Sequence, residues 1–564
     1  MVSRSDEESA RPWRLRFAPA TFLATVVMLG WRITRGIDLS DESYYAIFLH
    51  EWLKEGISSS PFLMLHQTSA LLVYPWAWLH HAIVGSTGGL MLYLRFLYLA
   101  GATTAALTVV RFLRQAGVGS LRWLAGALLV AFVPYNLPAP SYNTLGLQAL
   151  LVACSALGCA ALLAEQKGRW TRWLAISAIA WAVAEVAYPP LLVPLVVLSL
   201  GLVVFVRPGR RFAWAYLLAV AGGQVVAWSA VLLLLGPQKV AGSVAFQAKL
   251  SSTFDAQAIP ARILEIFAHN RWFATVLAVT AVLGVLSSRI PAVIRTVADT
   301  LLISALLLLP PALFSVAHGA MLVAALGGLA LVAGLRRGAP TTSKLLSLLY
   351  LTSWVAGFAM AGTATLGPMK VPVGAALAAT IALVVGAERC AATAHRRLAP
   401  LAAAALWAVL LVTLVRSYYG ELPLARPAGR VRIGQGPFAG LAATSDDARM
   451  IHIARAALKE HERSGDTITV LGRFPGIYLL SDAPVRALVP YAFTPFAQPP
   501  ARQEAHDYYA RPEHRPALVL AYKDPQLPFI NPFDPDFDAW YELRERYPTP
   551  LGNLEVFRRR DEAR

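Results

Sequence analysis

The residues best placed to do chemistry lie near the N-terminus, in Gly36-Ile-Asp-Leu-Ser-Asp-Glu-Ser-Tyr-Tyr-Ala-Ile-Phe-Leu-His-Glu-Trp-Leu-Lys-Glu-Gly56. Asp38, Asp41 and Glu42 are close together in this stretch, and a carboxylate held beside a hydroxyl can take its proton as the oxygen attacks. Tyr45, Phe48, Leu49 and Trp52 recur at i, i+3, i+4, i+7, an apolar stripe that predicts a helix over about residues 41–55. Ser40 is the expected N-cap and Gly56 the expected terminator. Acidic residues in a first turn also complement the helix dipole, so spacing alone leaves a catalytic and a structural reading open.

The elements that must position this segment follow from composition. Of 564 residues, 57% are hydrophobic and 15% charged, against about 25% charged in soluble domains. Lipid is therefore the expected solvent for much of the chain. Cys154, Cys159 and Cys390 make neither a disulfide framework nor a zinc spacing. The net charge of +17 is uneven: from Ser417 onward 19 basic and 19 acidic residues cancel, so the whole excess sits in the first 416 residues. Basic residues around apolar spans report membrane orientation rather than a nucleic-acid partner.

Apolar runs predict about thirteen transmembrane helices, near residues 17–36, 88–113, 121–138, 143–164, 171–187, 190–206, 212–236, 272–287, 293–311, 318–335, 345–366, 371–387 and 398–416. The fifth and sixth meet at Tyr188-Pro189-Pro190, which no helix continues through. Trp31, Arg32 and Arg35 after the first run favour an uncleaved anchor over a signal peptide. Clusters such as Arg111/Arg114/Arg122, Arg207/Arg210/Arg211 and Arg389/Arg396/Arg397 occupy alternate loops, which the positive-inside rule makes cytoplasmic. The N-terminus is then inside and everything after residue 416 outside, in an inner-membrane multi-pass protein. Residues 68–84 contain Pro75, His80, His81 and an aromatic cluster, and are expected to lie flat on the outer surface rather than to span. The polar outer face then comprises a first loop of about 37–87, a second of about 237–271 and the tail 417–564. In the tail, Asp466-Thr-Ile-Thr-Val-Leu and Ala517-Leu-Val-Leu-Ala read as strands and residues 446–463 as a helix, a small α/β domain.

Asp41-Glu42-Ser43-Tyr44-Tyr45 in a first outer loop, a surface helix, a dozen or so spans and an outer C-terminal domain resemble the GT-C membrane glycosyltransferases. The likeness is to the bacterial lipid-linked-sugar transferases related to protein mannosyltransferases and the lipid A aminoarabinose transferase. It covers the whole chain in layout, and its sharp sequence content is confined to the first loop. It implies a polytopic α-helical GT-C-like catalytic domain over residues 1–416, an extracytoplasmic α/β domain over 417–564, and Asp41 as the catalytic carboxylate, with Glu42 and Asp38 beside it.

The implied reaction takes a sugar from a polyprenyl-phosphate donor to an extracytoplasmic acceptor in one inverting displacement. The acceptor hydroxyl needs a base and the leaving phosphate needs positive charge. Lys370, in the outer turn Gly367-Pro-Met-Lys-Val-Pro372, and Arg271, in His269-Asn270-Arg271-Trp272, are the candidate cations, although either could simply anchor a helix end. Tyr44 and Tyr45 complete the motif. Where relatives carry Lys-Pro before the surface helix, this chain has Leu65-His66-Gln67-Thr68, so His66 and Gln67 are the candidates there. Where relatives often have a second acid it has Pro140-Ser141-Tyr142-Asn143-Thr144, which leaves Asn143 as a polar contact and a divalent metal unsupported. No other cofactor is implied. Glu185 is a further candidate, as an acid near the outer end of a span. The rival readings are a transporter or lipid flippase, which should show repeated halves and several broken helices, and an O-antigen ligase or polymerase, which relies on Arg and His in a large outer loop.

Overall fold

The computed structural model describes residues 17–58, 61–166, 168–206, 209–250, 282, 316–362, 370–392, 430–491, 499–525 and 529–560. Arg271, the expected spans at 293–311 and 398–416, and all of 272–287 but residue 282 lie outside the described residues. The helices of the apolar part are α1 (Ala18–Arg32), α2 (Asp41–Glu55), α3 (Gln67–Val84), α4 (Leu90–Gln115), α5 (Leu121–Ala131), α6 (Tyr142–Glu165), α7 (Thr171–Ala187), α8 (Leu192–Gly201), α9 (Arg210–Leu235), α10 (Pro237–Leu250), α11 (Val316–Gly327), α12 (Thr341–Gly362) and α13 (Ala376–Ala392). The expected spans on described residues are helical over most of their lengths. Five segments among the described residues are long and apolar enough to cross a membrane: Leu90–Gln115, Tyr142–Glu165, Pro189–Val206, Arg210–Leu235 and Thr341–Gly362.

Local chemistry explains the breaks. Chain direction changes at Tyr188-Pro189-Pro190, where α7 ends and a 3-10 turn, Pro189–Leu191, leads into α8. Helix α5 stops at Ala131, short of the expected 138, and a 3-10 turn, Pro134–Asn136, follows. Helix α3 forms as expected over the surface segment; Trp76, Trp78, Leu79, Ile83 and Val84 are exposed on it, an apolar outer side suited to the membrane interface.

Two hydrophobic cores result. One binds the apolar helices together, from Phe22 on α1 to Val384 on α13. The other unites the first loop with the C-terminal region in a single cluster, from Ile37 through Phe48 and Trp52 to Val470, Tyr478 and Phe557. The C-terminal region contains β1 (Val431–Arg432), β2 (Ala442–Ala443), α14 (Ser445–His461), β3 (Ile468–Leu471), α15 (Pro499–Tyr509), β4 (Leu518–Lys523), β5 (Tyr541–Thr549) and β6 (Gly552–Arg559). Strands β3 and β4 are parallel and buried along their pairing, and β6 and β5 extend the sheet antiparallel in the order β3-β4-β6-β5. The two strands and the helix read from sequence are present; the β5–β6 hairpin is an addition.

Candidate functional site

The three carboxylates of the first loop have three different fates. Asp38 is buried, and its side chain accepts from the Ser40 N–H (2.8 Å), the Ser40 hydroxyl (2.6 Å) and the Glu42 N–H (2.9 Å). It is therefore the side chain that caps α2. Ser40 occupies the N-cap position but makes no side-chain cap bond, because the Asp38 carboxylate already reaches the orphan N–H groups of the first turn. Burial, opposed in part by the Ser40 bond, pushes the Asp38 carboxyl up to about 7.

Glu42 is also buried and forms a two-pronged ion pair with Arg95 of α4, at 2.5 and 2.6 Å. The remaining Arg95 nitrogen donates to the Ile33 and Arg35 carbonyls at 2.7 and 2.9 Å, pinning the entry of the loop to α4. Asp41 alone is exposed. Desolvation by the protein around it nonetheless raises its pKa.

From Asp41 an aromatic wall leads inward. Tyr44 and Tyr45 follow it at i+3 and i+4, on the same side of α2. The Tyr44 phenol is 3.2 Å from His66 Nδ1, and the His66 ring lies 4.5 Å from that of Tyr142. Tyr142 in turn sits 6.0 Å from Tyr45 and 5.1 Å from Tyr188. Lys370 closes the cluster: its ammonium donates to the Tyr142 hydroxyl at 2.6 Å and stands over the Tyr142 and Tyr188 rings at 4.2 and 5.3 Å. Lys370 is 4% exposed, and no ion pair among the described residues involves it. Burial and the nearby Lys370 charge hold His66 down at about 3, so its ring is neutral at ordinary pH.

Each member is held from behind. A reciprocal Ser141–Thr144 capping box starts α6 and fixes Tyr142 at its first residue. The Tyr188 hydroxyl donates to the Met360 carbonyl at 2.9 Å. The turn Val371–Gly374 that follows Lys370 packs backbone against α12, where Gly357 and Gly374 leave no room for a Cβ, and Ser353 donates to the Gly374 carbonyl at 2.7 Å.

The other expected site residues divide. Gln67 is buried and donates to Ser243 Oγ on α10 at 2.9 Å, tying α10 to the start of α3. Asn143 and Glu185 are buried, each with one side-chain oxygen lacking a hydrogen-bond partner. Arg95, Tyr142 and Tyr188 were not singled out as site residues from sequence. Tyr142 and Tyr188 stand at the start of α6 and at the Pro-Pro break, and nothing in their local sequence marks them as partners of a lysine.

Much of the donor set of the first loop is already engaged. Two of the three loop carboxylates are spent on a cap and an ion pair, His66 Nδ1 is engaged by a phenol, and the neighbouring charge is a lysine. Among the described residues, three metal-ligating side chains converge only at Glu460, His461 and Glu545 in the C-terminal region. Those groups bond one another and the Tyr547 hydroxyl.

No family model and no curated protein matches the sequence. Solved structures do match in fold. An oligosaccharyltransferase from Archaeoglobus fulgidus in its apo form aligns over 91% of this chain and 70% of its own, with 13% identity and a TM-score of 0.50. The same enzyme in complex with Zn and sulfate aligns over 90% and 67%, again at 13% identity and a TM-score of 0.50. At this identity the likeness is one of fold: the chain is folded like that oligosaccharyltransferase over most of its length.

Proposed function

We propose that this protein is an integral-membrane glycosyltransferase of GT-C type that moves a sugar from a polyprenyl-phosphate carrier to an acceptor hydroxyl outside the cytoplasm. The observation that carries the reading is a buried lysine with no carboxylate partner among the described residues, set in a tyrosine cage that runs to an exposed aspartate. A buried cation lacking a counter-ion is costly unless an anion completes it. The carrier phosphate supplies that anion, and the cell-envelope or protein acceptor approaches from the outer side. The similar A. fulgidus structures are of an oligosaccharyltransferase, which supports transfer of a glycan as the reaction class.

In this reaction Asp41 takes the acceptor proton while the acceptor oxygen bonds to the anomeric carbon. The bond from that carbon to the phosphate oxygen breaks, and its electron pair leaves with the carrier phosphate. Lys370 and the Tyr142 phenol stabilise the charge that develops there. A single displacement inverts the anomeric centre. Asp38 and Glu42 hold Asp41 in place rather than touching substrate, and Tyr44, Tyr45, His66 and Asn143 line the approach. Membrane orientation follows the basic loops: N-terminus cytoplasmic, first loop and C-terminal region outside. Although the A. fulgidus enzyme was solved with Zn, no metal step is assigned to this chain, because Lys370 occupies the role of the cation.

The test is Lys370→Met in proteoliposomes with a radiolabelled polyprenyl-phosphate sugar. Donor KM rising or turnover falling about 10- to 100-fold, with a normal melting profile, supports the phosphate site; unchanged donor use rejects it.

A further inference from the structure

Helix α2 is held along its length by one strip of the C-terminal region, the loop that leaves β3. At its start, the Gly476 N–H donates to the Leu39 carbonyl at 2.7 Å. Farther along, the Glu51 carboxylate accepts from the Val485 N–H at 3.0 Å, and Lys54 Nζ donates to the Ser481 carbonyl at 2.7 Å. The strip is itself rigid: the 3-10 turn Pro475–Leu480 is mostly buried, and the Val470 N–H of β3 donates to the Tyr478 hydroxyl at 2.7 Å. Contact at Gly476 is closest. A Cβ there would lie 2.8 Å from Ser43 Oγ and 3.0 Å from Leu39 Cα, and Ser43 Oγ donates to the Asp38 carbonyl at 2.6 Å. Leu39 and Ser43 bracket Asp41 on the chain.

We infer that the C-terminal region sets the position of the catalytic carboxylate, with Gly476 as the positioning residue. Absence of a side chain at 476 lets β3's outgoing loop seat against Leu39 and Ser43, which fixes the height of the first turn of α2 relative to the phosphate cage. Backbone atoms of Leu39 cannot yield as a flexible side chain would, so an added methyl group must push the turn that carries Asp41. Misplacing a reacting group by about 1 Å can cost 100-fold in rate. Among the described residues, no hydrogen bond joins Gly476 to Lys370, Tyr142 or His66.

The inference rests on Asp41 acting as the base, and two readouts separate its failure from the failure of that reading. The first is steady-state transfer by Gly476→Ala. Turnover is expected to fall about tenfold or more with donor KM within twofold of the parent, and Ser43→Ala added to Gly476→Ala to recover part of the loss. Unchanged turnover overturns the inference, as does a loss that tracks the melting profile and is not recovered. Should Gly476→Ala fail to fold, Lys54→Met serves: it removes the Ser481 contact, and about a threefold drop in turnover at constant donor KM is expected, whereas parental turnover contradicts the inference. The second readout needs no activity. The rate at which a membrane-impermeant maleimide labels Asp41→Cys is compared with and without Gly476→Ala, and a change of about threefold is expected. An equal rate means that position 476 does not govern position 41, whatever Asp41 does. Cys154 and Cys159 are fully buried and do not compete for the reagent, and both arms carry Cys390→Ala so that position 41 is the labelled thiol.

Discussion

Two buried cations sit in neighbouring regions of the molecule and solve the same electrostatic problem in opposite ways. Arg95, at the root of the first outer loop, is 1% exposed and has both prongs of its guanidinium on Glu42 and a third nitrogen on two carbonyls. Lys370, beyond the aromatic wall, is as deeply placed but among the described residues it is met by a phenol and two ring faces rather than a carboxylate. The difference teaches that satisfaction, rather than residue type, separates scaffold from site: a completed ion pair holds a loop, and an incomplete one is available to a ligand.

The comparison is broken most easily at Arg95. Arg95→Met leaves the Glu42 charge buried and unpaired, which should cost about 3–5 kcal/mol and deplete folded protein from the membrane fraction. Adding Glu42→Leu should restore much of the loss, read as melting in detergent; no restoration would mean that the pair does not act as a unit. Lys370→Met, by contrast, removes a charge that no carboxylate among the described residues pairs with. It should leave melting unchanged or raised while donor use falls, and a drop in stability matching that of Arg95→Met would erase the distinction.

The pH dependence sharpens the same contrast between groups facing substrate and groups facing protein. Asp41 must be deprotonated to act, and burial raises its pKa, so kcat/KM should climb with pH through a range above that of an ordinary aspartate. His66, held at about 3, should contribute no limb near pH 6.5, and His66→Asn should leave the profile's shape intact. A limb at pH 6.5 that disappears in His66→Asn would show that the ring titrates during turnover.

The smallest effect is expected at Glu51, under the C-terminal strip. Burial pushes its carboxyl up to about 7, against an ordinary 4.5. A raised carboxyl favours the folded state below the ordinary value and loses that advantage as pH rises toward 7. Melting temperature should therefore decline between pH 5 and pH 8, and Glu51→Gln, which can keep the bond from Val485, should flatten the decline by a few degrees. An identical slope in the variant would assign the decline to other groups, such as Asp38.

Much of the scaffold was legible because it is written in local pattern. The stripe Tyr45, Phe48, Leu49 and Trp52 marked α2 and is buried throughout; the apolar run 171–187 coincides with α7; the Pro-Pro pair marked a break. Strands β3 and β4 are legible as short runs of β-branched and apolar residues, whereas β5, Tyr-Glu-Leu-Arg-Glu-Arg-Tyr-Pro-Thr, carries too many charges to declare a strand and is an exposed edge. The site was legible only as residue types. Asp41 and Lys370 were visible, but the Lys370–Tyr142 contact joins residues 228 apart, and Glu42 finds Arg95 across 53 positions. Nothing local distinguishes the carboxylate that caps from the carboxylate that stays open; that choice is made by Asp38 reaching past Ser40 and by α4 delivering an arginine.

The measurement that bears most directly on this account is transfer of a radiolabelled sugar from polyprenyl phosphate by Asp41→Asn, in protein that melts like the parent. Loss of a general base predicts turnover lowered about 100- to 10,000-fold with donor binding retained. Turnover equal to the parent's would contradict the central claim that the exposed carboxylate at position 41 takes the acceptor proton.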